Sequence, residues 1–362
     1  PQLLYILAMH FSTPIPFEAI ETYGKDFVNH PVGTGPYKVQ SWNSTSRIVL
    51  VKNENYRDEF FPDVSKLSKS FAGLAKYSGK KLPLNDGIEF SVVKEDQPRW
   101  LGFMSGNFDQ INIPKDNFTS AIKNETQLTD ELTAKEVRLS IEPAFSMWYV
   151  TFNMKDVVVG GKNKFLRQAI ASAIDTKSWL NLFKNGRGAI QNEVNPQSIV
   201  DRCGSAYAWT YDVARAKKLL EKAGYPEGKG LPKLVWDTRG ADMSERQMAE
   251  FIQKNLAAVG IQMEISTNTF PAYLEKMNKG GLQISKGGWA MDYPDAENNM
   301  QLLYGPNRSP GPNDANFDNA EYNKLYDQMA AMNAGVKARK DIICKMEKII
   351  QDEMPWAYGI YE

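Results

Sequence analysis

The 362 residues carry 43 Lys plus Arg against 43 Asp plus Glu, with 42% hydrophobic and 24% charged residues. A chain this long exceeds what one hydrophobic core usually organises, so two lobes are expected, and the balanced charge excludes a global field that would draw it to nucleic acid or an anionic membrane. No apolar run reaches transmembrane length, and PQLLYILAMHF lacks the basic start and small-residue cleavage site of a signal peptide, so it reads as a strand or helix of the fold.

The first part mixes strands and hairpins. At 37–51, YKVQSWNSTSRIVLV holds two alternating segments around Asn-Ser-Thr-Ser, which predicts a hairpin. The preceding GTGPY lacks the glycine continuation and opening helix of a dinucleotide loop, and Pro36 makes it a tight turn feeding a strand. A strand is predicted at 88–93, a helix around 98–105 and a further strand at 108–113. MWYVTFN, at 147–153, is apolar on both faces, which suits a central strand rather than an edge.

Beyond Asn153, strands and helices alternate. Phe165, Leu166, Ala169, Ile170, Ala173 and Ile174 share one helical face; Asp175 is placed to cap the next helix, and Asp212 the one after, which Gly224 and Pro226 stop. LVWDT, a helix carrying Met248, Phe251, Ile252, Leu256 and Val259, IQMEIS, a short helix from Pro271 and LQISKGGW complete the series, the pattern of an open α/β lobe. Two helical stripes follow, one through Tyr322, Leu325, Tyr326 and Met329 and one through Ile342, Met346 and Ile349, before PWAYGIYE reads as a strand. The expected organisation is a mixed α/β fold with residues 1–152 in a first lobe, 153–355 as an α/β ligand-binding domain and 356–362 as the start of a return crossing.

His10 and His30 sit far apart without acidic partners at motif spacing, which leaves little material for a histidine triad or a zinc site, and no Walker motif occurs. Neither cofactor nor metal is expected, and the chain reads as a binding protein rather than an enzyme; Asp292 and Asp295 leave an acid-pair hydrolase as the minor alternative. Cys344 lies beside the apolar stripe of a helix and Cys203 in a loop, which favours two unpaired thiols over a bond between them. Trp148 and Trp289 stand out among the tryptophans, because each lies on a strand near an expected lobe junction, where clefts form.

In KGGWAMDYPD, residues 286–295, the strand pattern gives way to Tyr-Pro and leaves Asp292 at the strand's end, three residues after Trp289. A carboxylate there is suited to hold the positive end of a ligand; the competing reading is a turn or helix cap.

HPVGTGPYKVQSW, SRIVLVKNENY, FNMKD, FLRQAIASAID, YDVARAKKLLEKAGYPEG and GWAMDYPD, in this order, resemble the family 5 periplasmic solute-binding proteins of ABC importers, which include oligopeptide- and dipeptide-binding proteins. The resemblance implies a two-lobed, type II periplasmic-binding-protein fold and a short peptide held in extended form between lobes that close on it. It implies ABC importer permease subunits as partners, a monomeric chain and no nucleic acid. It also implies residue roles: Asp292 of the W-x-x-D-Y segment holds the peptide's α-ammonium beside Trp289 and Tyr293, Gly288 and Ala290 offer backbone hydrogen bonds, and Lys286 stands where a basic residue takes the peptide carboxylate in some members, the competing reading being a surface cation. Trp148 and Tyr149, on the candidate central strand, complete the expected ligand-binding set. An oligosaccharide or a metal chelate is the alternative ligand on the same fold. Members of the family run longer at both ends and begin with a signal or lipoprotein leader, so the chain is expected to be a fragment with an incomplete first lobe, from a periplasmic or membrane-anchored extracytoplasmic protein.

Overall fold

The computed structural model describes residues 2–64, 69–142 and 144–362. These fall into two compact units, one within Pro1–Ala8 and Asn112–Glu362 and the other within Met9–Ile111.

In the smaller unit, β1 (Tyr37–Asn43) and β2 (Arg47–Lys52) form the hairpin expected from the alternation around Asn-Ser-Thr-Ser, closing at Asn43 opposite Arg47. β3 (Gly87–Ser91) pairs antiparallel with the other side of β2, and a helix, Asp96–Met104, follows where one is predicted. The strand expected at 108–113 is not formed, and the segment runs as irregular chain. An extended pattern becomes a strand only where a neighbouring edge takes up its ladder hydrogen bonds. Phe108 instead lays its ring on Gly102, where a Cβ would lie 2.5 Å from it.

The larger unit opens with a two-strand ladder of β4 (Ile122–Lys123) and β5 (Gln127–Leu128). Its main sheet joins β6 (Ser146–Phe152), β7 (Ala189–Ile190), β8 (Leu234–Asp237), β9 (Met263–Ser266), β10 (Ile284–Ala290) and β11 (Trp356–Tyr361), in the order β7-β11-β6-β10-β8-β9 among the described residues. β6 is antiparallel to both β11 and β10, the central place its two-faced apolarity predicts, while β10, β8 and β9 run parallel. The expected division near residue 153 falls inside this unit, between β6 and the helix Lys164–Ala173.

Period-two alternation along β6 feeds two cores. Val150 and Phe152 pack with Leu166, Ile170, Leu220 and Ile252, whereas Met147 and Tyr149 pack with Met300, Tyr322 and Met346. Full burial of Ile170, Leu220 and Ile252 contributes roughly 1.5–3 kcal/mol for each. The helices start as their sequences predict: Asp175 accepts from the Ser178 N–H and Asp212 from the Arg215 N–H.

Cys203 and Cys344 form a disulfide with Cα atoms 5.2 Å apart, against the expectation of two free thiols. The helix Lys337–Glu353 brings them together by docking on the 201–204 loop through Arg339 and Asp201, and a separation of 141 residues hides that approach from any local pattern. Among the described residues no helix is long and apolar enough to cross a membrane.

Candidate ligand-binding site

β10 and β8 stay paired only at Ile284 opposite Trp236 and Ser285 opposite Asp237. Farther along, β10 keeps its ladder with β6, Lys286 opposite Val150, Gly288 opposite Trp148 and Ala290 opposite Ser146. Its other edge, from Lys286 to Ala290, has no strand partner among the described residues. Open parallel sheets bind ligands outside the carboxyl ends of their strands, where neighbours part, and this is such a place. Both glycines are dictated by cross-strand aromatics: a Cβ on Gly287 would lie 2.2 Å from the Tyr149 ring, and one on Gly288 2.5 Å from the Trp148 ring.

Asp292, half-buried, lies just past this strand end. The Trp289 Nε1–H and the Asp292 backbone N–H both donate to Asn298 Oδ1, at 2.9 and 3.0 Å, and Asn298 Nδ2 donates to Asp292 Oδ2 at 3.1 Å. Among the described residues no cation pairs with Asp292. The capping role belongs to Asp295, which accepts from the Glu297 N–H at 2.8 Å at the start of the helix Ala296–Met300. Asp295 is also ion-paired with Arg339, which holds Asp201 through its other terminal nitrogen, all three side chains being buried. One acid of the pair is thus committed to the fold, while the other carries no cation among the described residues. Tyr293 is buried, stacks on Tyr5 at 5.5 Å between centroids and donates to Glu297 Oε2 at 2.6 Å. Burial, then the Glu297 carboxylate, raises its hydroxyl pKa, so it stays neutral.

The pleat divides the remaining expected residues between two faces. Lys286, Gly288, Ala290 and Trp148 share one, and Trp289 and Tyr149 the other. Tyr149 is 2% exposed and stacked on Trp356 at 3.9 Å, a core position rather than the cleft-lining one expected. Adjacent aromatics on a strand that is apolar on both faces do not reveal which ring reaches the surface. Trp148 is half-buried, and three cations surround its indole: Lys286 Nζ at 5.2 Å, Lys184 Nζ at 5.4 Å and the Arg239 guanidinium at 5.5 Å from the ring centroid.

Two of these are already neutralised. Lys184 pairs with Glu362, whose second oxygen accepts from Trp148 Nε1. Lys286, expected to take a ligand carboxylate, pairs with Glu245; burial lowers its pKa while Glu245 pulls the other way. Arg239 differs. Among the described residues its guanidinium forms no ion pair and no hydrogen bond, and it also faces the rings of Tyr273 and Phe270 at 5.8 and 5.9 Å. The nearby Asp314, half-buried as a residue with its carboxyl enclosed, is pushed up to about 6 by burial, against the attraction of Arg239. Sequence reasoning missed Arg239 and Asn298. For Arg239 the available signal is a basic residue two positions past the carboxyl end of the parallel strand Leu234–Asp237. Among the described residues no hydrogen bond or ion pair joins the Asp292–Asn298 group to the Arg239–Trp148 group, which share only the end of β10. No cluster of three or more His, Cys, Asp or Glu side chains suited to a metal occurs among the described residues.

The family described as "Bacterial extracellular solute-binding proteins, family 5 Middle" matches residues 1–311. Glutathione-binding protein GsiB of Salmonella choleraesuis is 27% identical over 361 residues, which cover 97% of this chain and 63% of that protein. Heme-binding protein A of Haemophilus influenzae is 24% identical over 329 residues, 91% of this chain and 54% of that one. The chain thus spans between 54% and 63% of the length of these curated relatives. Among solved structures, a dipeptide-binding protein from Pseudoalteromonas sp. SM9913 in complex with Met-Leu matches 99% of this chain and 66% of its own, with a TM-score of 0.81 at 19% identity, which shows a shared fold. With the family's pattern running through 311 of 362 residues, the chain belongs to the bacterial extracellular solute-binding proteins of family 5.

Proposed function

We propose that the protein carrying this chain binds short peptides in extended form and delivers them to the permease subunits of an ABC importer. The observation that carries this reading is the edge of β10, Lys286 to Ala290, which among the described residues has no strand partner and runs to a carboxylate with no cation on it. An extended peptide laid on such an edge gains main-chain hydrogen bonds without regard to side chains, Gly288 and Ala290 being the residues placed to offer them. Its α-ammonium meets Asp292 in a charge-assisted bond.

Arg239 supplies the opposite pole. Its fork suits a carboxylate better than an ammonium would, and counting two residues on from the last paired rung, Asp237 opposite Ser285, brings it to the level of Gly287 along β10. From there to Asp292 is five residues, roughly 17 Å of fully extended chain as an upper bound, which accommodates ligands of about two to five residues. Among the relatives, one is named for binding glutathione and another for binding heme, and the solved structure holds Met-Leu. Asp295 is bound up with Arg339, which argues against a hydrolytic role for the Asp292–Asp295 pair and favours a carrier. Its place is outside the cytoplasm, free in the periplasm or tethered as a lipoprotein.

A thermal-shift panel on the full-length protein tests this, with unblocked di- to pentapeptides set against oligosaccharides. Peptides at 100 times their Kd are expected to stabilise the protein by about 2.7 kcal/mol. Stabilisation by oligosaccharides alone overturns the reading.

A further inference from the structure

We propose that Asn298 is the positioning residue for the ligand ammonium, and that it works by occupying one oxygen of Asp292 so that the other is presented to the ligand. This rests on the peptide reading above. A primary amide has one acceptor oxygen and two donor hydrogens, and Asn298 uses both ends. Its Oδ1 takes the Trp289 indole N–H at 2.9 Å and the Asp292 backbone N–H at 3.0 Å, which fixes the strand end and the turn to each other. Its Nδ2 donates to Asp292 Oδ2 at 3.1 Å, which fixes the rotation of the carboxylate.

The amide itself has little freedom. Asn298 is fully buried, and its backbone N–H is bound to the Asp295 carbonyl at 3.0 Å. Asp295 is in turn held by Arg339, which also grips Asp201. The order runs from a buried ion network through one short helix to a single amide and then to the acid. An ammonium bound in a partly dry site is sensitive to the direction of its acceptor, since hydrogen bonds weaken steeply away from linearity. A freely rotating Asp292 would offer the same charge with a poorer geometry. Trp289 has a different task in this arrangement: its indole N–H helps to hold Asn298 and makes no hydrogen bond to Asp292.

The test compares a mixture of unblocked di- and tripeptides with the same mixture N-acetylated, titrated into the full-length protein. In the wild type the unblocked mixture binds more tightly. Asn298→Ala is expected to lower that preference by ~10-fold or more, the loss of one hydrogen bond to a charged group, while N-acetylated peptides bind as before. If Asn298→Ala does not fold, the double variant Trp289→Phe/Asn298→Ala, from which the orphaned indole donor is also gone, carries the same comparison. A preference kept intact in the Asn298 variant, or equal losses for both mixtures, overturns the positioning role while leaving the ammonium reading in place. A wild type without any preference overturns both.

Discussion

Glu347 accepts hydrogen bonds from the Tyr358 hydroxyl at 2.6 Å, Gln351 Nε2 at 3.0 Å and the Val194 N–H at 3.1 Å, yet among the described residues no cation pairs with it and Glu193 lies nearby. Burial therefore dominates and pushes its carboxyl up to about 7 from 4.5. The native state then holds a proton that the unfolded chain releases, so this group's contribution is fully present below about pH 4.5 and is lost as the pH rises through about 7. At about 1.4 kcal/mol per pKa unit, the fall is up to about 3 kcal/mol, and denaturant titrations between pH 4.5 and 7.5 should show it. Glu347→Gln should flatten that slope; an unchanged slope would assign it to other groups. The two acids of the candidate site differ in their neighbours: Asp295 has a buried arginine, whereas Asp292, among the described residues, has the Asn298 amide and no cation. Asp292 and Trp289 were legible in the sequence because a strand pattern stops beside them. Asn298 was not, because an asparagine early in a helix looks like any other until its side chain is seen turned back on the preceding turn.

The pairing of β6 with β10 is the element on which the site depends. Gly287 and Gly288 lie opposite Tyr149 and Trp148, whose rings fill the space a side chain would take. Gly287→Ala is the sharper probe, because its Cβ would lie 2.2 Å from a ring clamped against Trp356. It should destabilise the protein by about 1–3 kcal/mol, the usual cost of overpacking, read as a lower denaturation midpoint at constant m. A neutral result would mean that the Tyr149–Trp356 stack can shift. Most elements could be read from pattern alone where apolar period and capping residue agreed, as at Asp175 and Asp212. The segment 108–113 had the pattern without a partner edge, and a strand is a property of two segments.

At the scale of the whole molecule, contacts between distant segments carry what local pattern cannot. The Cys203–Cys344 bond closes a loop over a sequence separation of 141 residues beside the Asp201–Arg339–Asp295 network that steadies the Asp292 turn. Replacing both cysteines by serine should cost about 2–4 kcal/mol, measured by denaturation against the oxidised wild type; no loss would show that the helix docks as well without the bond. That Arg239 forms no ion pair among the described residues is likewise a product of the assembled fold, since Lys286 and Lys184 pair with acids while Asp314 lies near Arg239 without bridging to it. The central claim is that both poles of a peptide are held, the ammonium at Asp292 and the carboxylate at Arg239. Calorimetric titration of one tripeptide in unblocked, N-acetylated and C-amidated forms into the full-length wild type and Asp292→Asn proteins tests it most directly. Each blocked form should lose about 2–5 kcal/mol in the wild type, the cost of stripping one partner from a charge pair, and Asp292→Asn should erase the difference between the unblocked and acetylated forms alone. Equal affinity of all three forms for the wild type would contradict the account.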